Sequence, residues 1–238
     1  MIYSVDGHVA RLRLNRPAEH NRIEPEDLDL LISQVAQVNA DRNVRVLILE
    51  STGKTFSSGF HLGAIGHGAP QRFEEAADAL AWCRVPTIAA IQGNVYGGAA
   101  DLALACDFRI GAPGIELMVP AVKLVIPYYP SAIERFLNRL GPQAVKRILI
   151  LCDRVNAQQL LDWSYLDEIT EDVCARATAL AAQLESLAPL AVQAIKAQLN
   201  RFDRASASEA LKACLASDDH KEGLAAWTEK RTARFTGA

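Results

Sequence analysis

The chain has 238 residues, half of them hydrophobic and 22% charged, with a formal net charge of −3. That length implies one main core with a small appendage, and the composition is that of a soluble globular protein. The slightly acidic balance, with no basic run beyond a few residues, speaks against nucleic acid as a partner.

Apolar runs such as VLIL at 46–49 and ILIL at 148–151 are far too short to span a bilayer, so no membrane partner is expected. The cysteines Cys83, Cys106, Cys152, Cys174 and Cys214 form no C-x-x-C pair, and the histidines do not gather beside them. The expectation is of reduced, buried thiols in a cytoplasmic protein without a metal site.

The N-terminal MIYSVDGHVARLRL alternates like a strand and carries charges, unlike a signal peptide. It predicts a hairpin turning at Asp6-Gly7, with Val9, Leu12 and Leu14 apolar and Pro17 as its end. A helix is expected from about Pro25, with Glu24, Glu26 and Asp27 around its first turn. Leu28, Leu31, Ile32, Val35 and Val38 form its apolar stripe.

VRVLILES (44–51) predicts a strand buried on both faces. A loop rich in glycine and serine follows, TGKTFSSGFHLGAIGHGAP, in which His67 is expected to be solvated. FEEAADALAWC predicts a helix and PTIAAIQG (86–93) a second buried strand. QGNVYGGAADLALACDF (92–108) then runs two glycines into a helical pattern, and DFRIG predicts a short strand. This alternation argues for α/β organisation.

From Ser131 the chain reads as mostly helical, through SAIERFLNRLG ending at Gly141, PQAVKRILIL, and NAQQLLDWSYLDEI with a short extended end. The last stretch predicts three helices. A composition shift near 175 separates a core over 1–175 from a helical region over 176–238 that lacks a large core of its own.

Two glycine loops, FSSGFHL (56–62) and GNVYGGAAD (93–101), each follow a buried strand. Loops at the carboxyl ends of strands line the ligand crevice of an α/β sheet. Glycine there lets the backbone come close to a ligand, and a helix start adds unpaired N–H groups and a positive dipole end. Such loops suit either an oxyanion hole or two tightly packed turns. Neither a phosphate loop nor a dinucleotide fingerprint is present. Asp101, one turn inside the helix, is either an acid for chemistry or a carboxylate that settles the helix dipole, worth ~0.5 kcal/mol.

Four segments together resemble the crotonase superfamily, the enoyl-CoA hydratase/isomerase family, over nearly the whole chain. LNRPAEHN (14–21) is similar to its L-N-R-P-x-x-x-N segment, and VRVLILESTGKTFSSGFHL to its strand and first oxyanion loop. VPTIAAIQGNVYGGAADLALACDFRI resembles its second glycine loop and helix, and SDDHKEGLAAWTEKRTARFTG its closing segment.

The resemblance implies a spiral of ββα units with a C-terminal helical trimerisation region, as a homotrimer or a dimer of trimers. It also implies acyl-CoA thioester chemistry through an enolate, with CoA as part of the substrate and no separate cofactor. The oxyanion N–H donors fall on Phe60 and Gly98 and the first family glutamate on Asp101. In VPAVKLVIPYYP (119–130), Ala121 takes the place of the second, with Pro120, Lys123 and Leu124 matching around it. Hydration in the family uses both carboxylates; isomerisation and decarboxylation need fewer acids.

KLVIPYYP and GGAAD resemble methylmalonyl-CoA decarboxylase-like members, which makes Tyr128 a candidate polar contact in the site. The implied CoA contacts are Ala18, His20, Ser58, Phe60 and Leu62, with Trp227 and Lys230 reaching CoA on a neighbouring subunit. His61 stands where the family has an aspartate pointing away from the thioester. A hydratase/isomerase-type enzyme is the leading expectation. A decarboxylase-like enzyme or isomerase is the first alternative, and a non-catalytic acyl-CoA binder the second.

Overall fold

The computed structural model of the chain describes residues 1–66, 68–201 and 203–238, which leaves His67 outside the described residues. Strands β1 (Ile2–Asp6) and β2 (Val9–Leu14) form the N-terminal hairpin. Asp6 still pairs with Val9, so the turn is Gly7-His8, one residue later than expected. Helix α1 (Pro25–Ala40) begins with proline, and the Asp27 carboxylate accepts the Glu24 N–H at 2.9 Å. Leu28, Leu31, Val35 and Val38 are buried along it, as the periodicity requires.

Three successive ββα turns follow. The first is β3 (Val46–Ser51), β4 (Thr55–Ser57) and α2 (Ala69–Ala81). The second is β5 (Thr87–Ile91), β6 (Asn94–Tyr96) and α3 (Ala99–Leu104). The third is β7 (Phe108–Gly111), β8 (Glu116–Met118) and α4 (Pro130–Leu149). Gly141, at φ 74°, kinks α4 where the sequence predicts a break. After β9 (Val155–Asn156) and α5 (Ala157–Asp162) comes β10 (Glu168–Ile169).

The first strand of each turn enters a six-stranded sheet of order β1-β2-β3-β5-β7-β10, parallel from β2 onward. The second enters a four-stranded sheet of order β4-β6-β8-β9. The apolar run of β3 is continuous because both its faces are covered. Leu47 and Leu49 join the main core with α1 and α2, whereas Val46 and Ile48 face Val173, Ala177 and Ala181 of α6 (Val173–Glu185). Alternate strand residues point to opposite faces, so two helical layers need two apolar sets.

Among its described residues the C-terminal part has four helices rather than three: α6, α7 (Pro189–Asn200), α8 (Arg204–Ala216) and α9 (Asp218–Glu229). The expected boundary at 175 falls inside α6, and α6 covers the large sheet. Lys196 ties α7 to the core by donating to the Asp107 carboxylate at 2.6 Å and the Val85 carbonyl at 2.8 Å. No described helix is long and apolar enough to cross a membrane. All five cysteines are free; Cys83, Cys106 and Cys152 are buried, whereas Cys174 is exposed and Cys214 half-buried. Burial pushes the Cys106 thiol up to about 12, so it stays protonated.

Candidate active site

The small sheet positions the site. β4, β6 and β8 are neighbours and parallel, so the loops leaving their carboxyl ends emerge side by side. These loops are 58–60, 97–98 and 119–121. The first two touch: a Cβ on Gly59 would lie 2.7 Å from the Tyr96 carbonyl oxygen and 3.5 Å from the Gly97 Cα. Gly59 also sits at φ 87°, a region open to glycine and costly for other residues.

The backbone hydrogen bonds around these turns leave two donors over. Ile23 donates to the Gly59 carbonyl at 2.9 Å and accepts from the His61 N–H at 2.9 Å. This bridge uses the groups on either side of Phe60, so the Phe60 N–H faces away from it. Gly97 donates to the Met118 carbonyl at 3.0 Å, and the Gly98 carbonyl accepts from Asp101 at 3.0 Å. Among the described residues, no protein acceptor is within hydrogen-bonding reach of the Phe60 or Gly98 N–H. Unpaired donors at a helix start are the usual raw material of an anion site.

Aromatic rings wall the space beside them. Phe60 meets Phe73 edge-on at 6.0 Å, Phe73 lies 6.2 Å from Tyr129, and Tyr128 stacks on Tyr129 at 5.9 Å. Gly98 carries no side chain because the Phe73 ring occupies that place; a Cβ there would be 2.6 Å from its Cζ.

Asp101 is 0% exposed, because α3 is small and apolar all round and every residue in it is buried. Its oxygens are already engaged. Arg135 donates to both, from Nε at 3.0 Å and Nη2 at 2.6 Å, and the Tyr129 hydroxyl adds a bond of 2.5 Å. Arg135 also reaches Asp78 at 2.5 Å. Burial works against the guanidinium charge, but the bonds to the two aspartates hold the Arg135 pKa above its ordinary value. Burial and the Asp101 charge push the Tyr129 hydroxyl well above its usual value. In this arrangement Asp101 is neither a free base nor a simple dipole partner; it is the anion of a buried, hydrogen-bonded ion pair.

The other expected positions are as follows. Tyr128 donates its hydroxyl to the Gly97 carbonyl at 2.8 Å. Ala121 opens a 3-10 turn over Ala121–Leu124 and packs on the core, contributing no acid. Glu116, the nearest acid upstream in sequence, is held by Arg154 at 3.1 Å. Val125 ends the 3-10 turn at φ 57° and is 90% exposed. His61 bonds Glu24 at 2.7 Å, and bonds from Arg22 and His61 outweigh burial to hold the Glu24 carboxyl below its ordinary value.

Among the expected CoA contacts, His20 and Ser58 are joined by a bond from the Ser58 N–H to the His20 carbonyl at 2.8 Å. Ala18 and Leu62 are exposed on two 3-10 turns, Pro17–Glu19 and Leu62–Ala64. Trp227 and Lys230 lie at the C-terminal end of α9, with Trp227 87% exposed.

Phe73, Asp78, Tyr129 and Arg135 belong to the site's surroundings and were not read from the sequence. One signal pointed to a partner for Asp101: a carboxylate inside GGAADLALA must be buried, and buried charges are paired.

The family model for enoyl-CoA hydratase/isomerase matches residues 5–238. The crotonyl-CoA hydratase of Syntrophomonas wolfei is 30% identical over 259 residues, covering 99% of this chain and 97% of its own. Two crystal structures superpose closely. An enoyl-CoA hydratase/isomerase family protein from Hyphomonas neptunium does so with a TM-score of 0.94 at 25% identity, over 100% of this chain and 97% of its own. An enoyl-CoA hydratase/carnitine racemase from Magnetospirillum magneticum reaches 0.92 at 28% identity, over 99% and 95%. The sheet order, the ββα turns and these matches agree, and the chain belongs to the enoyl-CoA hydratase/isomerase family of the crotonase superfamily, as an enzyme of that family.

Proposed function

We propose that the protein binds an acyl-CoA thioester with its carbonyl oxygen between the N–H groups of Phe60 and Gly98, and works through the enolate so stabilised. The observation that carries this reading is the pair of unpartnered donors on two touching loops. Negative charge develops on that oxygen as the α-carbon becomes carbanionic. Each fixed donor in such a hole is worth roughly 3–4 kcal/mol of barrier. The apolar ring wall excludes water and strengthens both bonds.

A second reading concerns the reaction. Asp101 is committed to Arg135 and Tyr129, and Ala121 supplies no carboxylate, so the two-acid hydration of the resemblance lacks its groups. Decarboxylation of a malonyl-type thioester asks less of the side chains. The bond between carboxylate and α-carbon breaks, its electron pair enters the thioester as an enolate, and CO2 leaves. The enolate then takes a proton from water at the α-carbon. Isomerisation is the neighbouring possibility, with a single proton-moving group.

Following crotonyl-CoA by the loss of its conjugated absorbance tests hydration. Release of CO2 from malonyl-type thioesters tests the second reading. We expect slow hydration and faster CO2 release. Tight binding with no turnover on a broad acyl-CoA panel would leave a non-catalytic binder. No shift of a bound thioester carbonyl would remove the oxyanion reading altogether.

A homotrimer or dimer of trimers in the cytoplasm completes the proposal. Leu211, Leu215, Leu224 and Trp227 are exposed on α8 and α9, which supports burial of these helices against a neighbouring copy. Sedimentation at equilibrium checks it.

A further inference from the structure

The bond from Tyr128 to Gly97 has a specific chemical address. The Gly97 carbonyl and the Gly98 N–H belong to one planar peptide group, and they point in opposite directions across it. One end of that peptide accepts the Tyr128 hydroxyl at 2.8 Å. The other is the N–H that has no protein acceptor among the described residues. We propose that Tyr128 is a positioning residue that orients and polarises the Gly97–Gly98 peptide so that its N–H is a stronger, fixed oxyanion donor. The inference rests on the oxyanion reading above.

Three observations support it. A hydrogen bond accepted by a carbonyl draws electron density across the amide and makes its N–H a better donor, and such chains strengthen cooperatively in a low dielectric. Gly97, at φ 56°, has glycine on its C-terminal side, so no side chain on either residue restrains the peptide plane. The Gly97 carbonyl accepts one backbone bond, from the Ala100 N–H at 3.1 Å, and the shorter Tyr128 bond adds a second hold on the same oxygen. The phenol is itself immobilised: its ring stacks on Tyr129 and meets Phe136 edge-on at 5.8 Å. Tyr129 in turn is anchored on Asp101, which Arg135 grips.

The buried acid thereby acquires a role at one remove. Asp101 fixes Tyr129, Tyr129 stacks on Tyr128, and Tyr128 fixes the donor peptide. Burial pushes the Tyr128 hydroxyl well above its usual value, so it remains a neutral donor at physiological pH.

The test uses the whole protein and butyryl-CoA labelled with carbon-13 at the thioester carbonyl. In the wild type, binding should move the carbonyl resonance downfield; absence of any shift there would remove the oxyanion reading and this inference with it. Tyr128→Phe keeps the ring and its stacking but deletes the hydroxyl. It should cut the downfield shift by at least half while changing affinity less than about threefold. Replacing Tyr128 with 3-fluorotyrosine makes the hydroxyl a stronger donor and should enlarge the shift. A full wild-type shift in Tyr128→Phe overturns the proposal even if the oxyanion reading stands. So does an unchanged or smaller shift with fluorotyrosine, and that arm decides alone if the phenylalanine variant does not fold. A merely structural role for Tyr128 would leave the sign of the fluorine effect unexplained.

Discussion

Arg135 grips Asp101 with two nitrogens, Nε 3.0 Å from Oδ1 and Nη2 2.6 Å from Oδ2. The two residues are 34 positions apart in the chain and are joined in the interior between α3 and α4. A pair with this geometry couples their fates. Among the described residues, Asp101→Asn leaves the Arg135 cation with only Asp78 as a charged partner, and breaking a buried pair from one side costs about 3–5 kcal/mol. The midpoint of guanidinium unfolding should fall accordingly. Replacing both residues, Asp101→Asn with Arg135→Met, should recover more than half of the loss, because no buried charge is then unpaired.

Gly98→Ala places a methyl group where the Phe73 ring already stands, 2.6 Å from its Cζ. Overfilling of this kind costs ~1–3 kcal/mol. Thermal unfolding of Gly98→Ala should show that loss. Phe73→Leu in the same chain should relieve it, whereas Phe73→Leu alone should destabilise by leaving a void. If the double variant is no more stable than Gly98→Ala, the ring is not the obstacle.

Alkaline pH should weaken the fold. Tyr128 and Tyr129 have hydroxyl pKa values raised above 10.0 by burial, with the Asp101 charge as the next cause. A raised folded-state pKa means that, above pH ~10, the unfolded chain gives up protons that the native state keeps. The contribution is complete below that pH and is lost as pH rises toward the folded values. The melting temperature should therefore fall from pH 10 upward, and Tyr129→Phe should flatten that fall.

Much of the architecture was legible. The runs VLIL and TIAAI could be read as two-faced strands because both faces are covered, and the stripe of α1 matched its buried side. Strands β4 and β6 were not legible. Each is three residues long, lies in a glycine-bearing stretch with polar members, and exists through pairing with a neighbouring strand. The fourth C-terminal helix was hidden for a related reason: α8 has no buried residue to mark a period.

At the site, the glycine loops alone left an oxyanion hole and two packed turns both open, and only the resemblance singled out the Phe60 and Gly98 N–H groups. The fate of Asp101 could not be read, since Arg135 comes from a helix whose approach is set by tertiary packing. Tyr128 and Tyr129 are adjacent in sequence but divide the work, one hydroxyl going to the backbone and the other to the carboxylate.

Val125, which ends the 3-10 turn over Ala121–Leu124, keeps a glycine-like backbone at φ 57°. A β-branched side chain there opposes the turn by ~1–2 kcal/mol, and its exposed side chain offers little packing in return. That relief exceeds the ~0.4–1 kcal/mol that the chain freedom of glycine costs, so Val125→Gly should slow amide hydrogen exchange at Lys123 through Ile126. The 3-10 turn that follows β8 thus keeps a backbone conformation that its own closing side chain opposes.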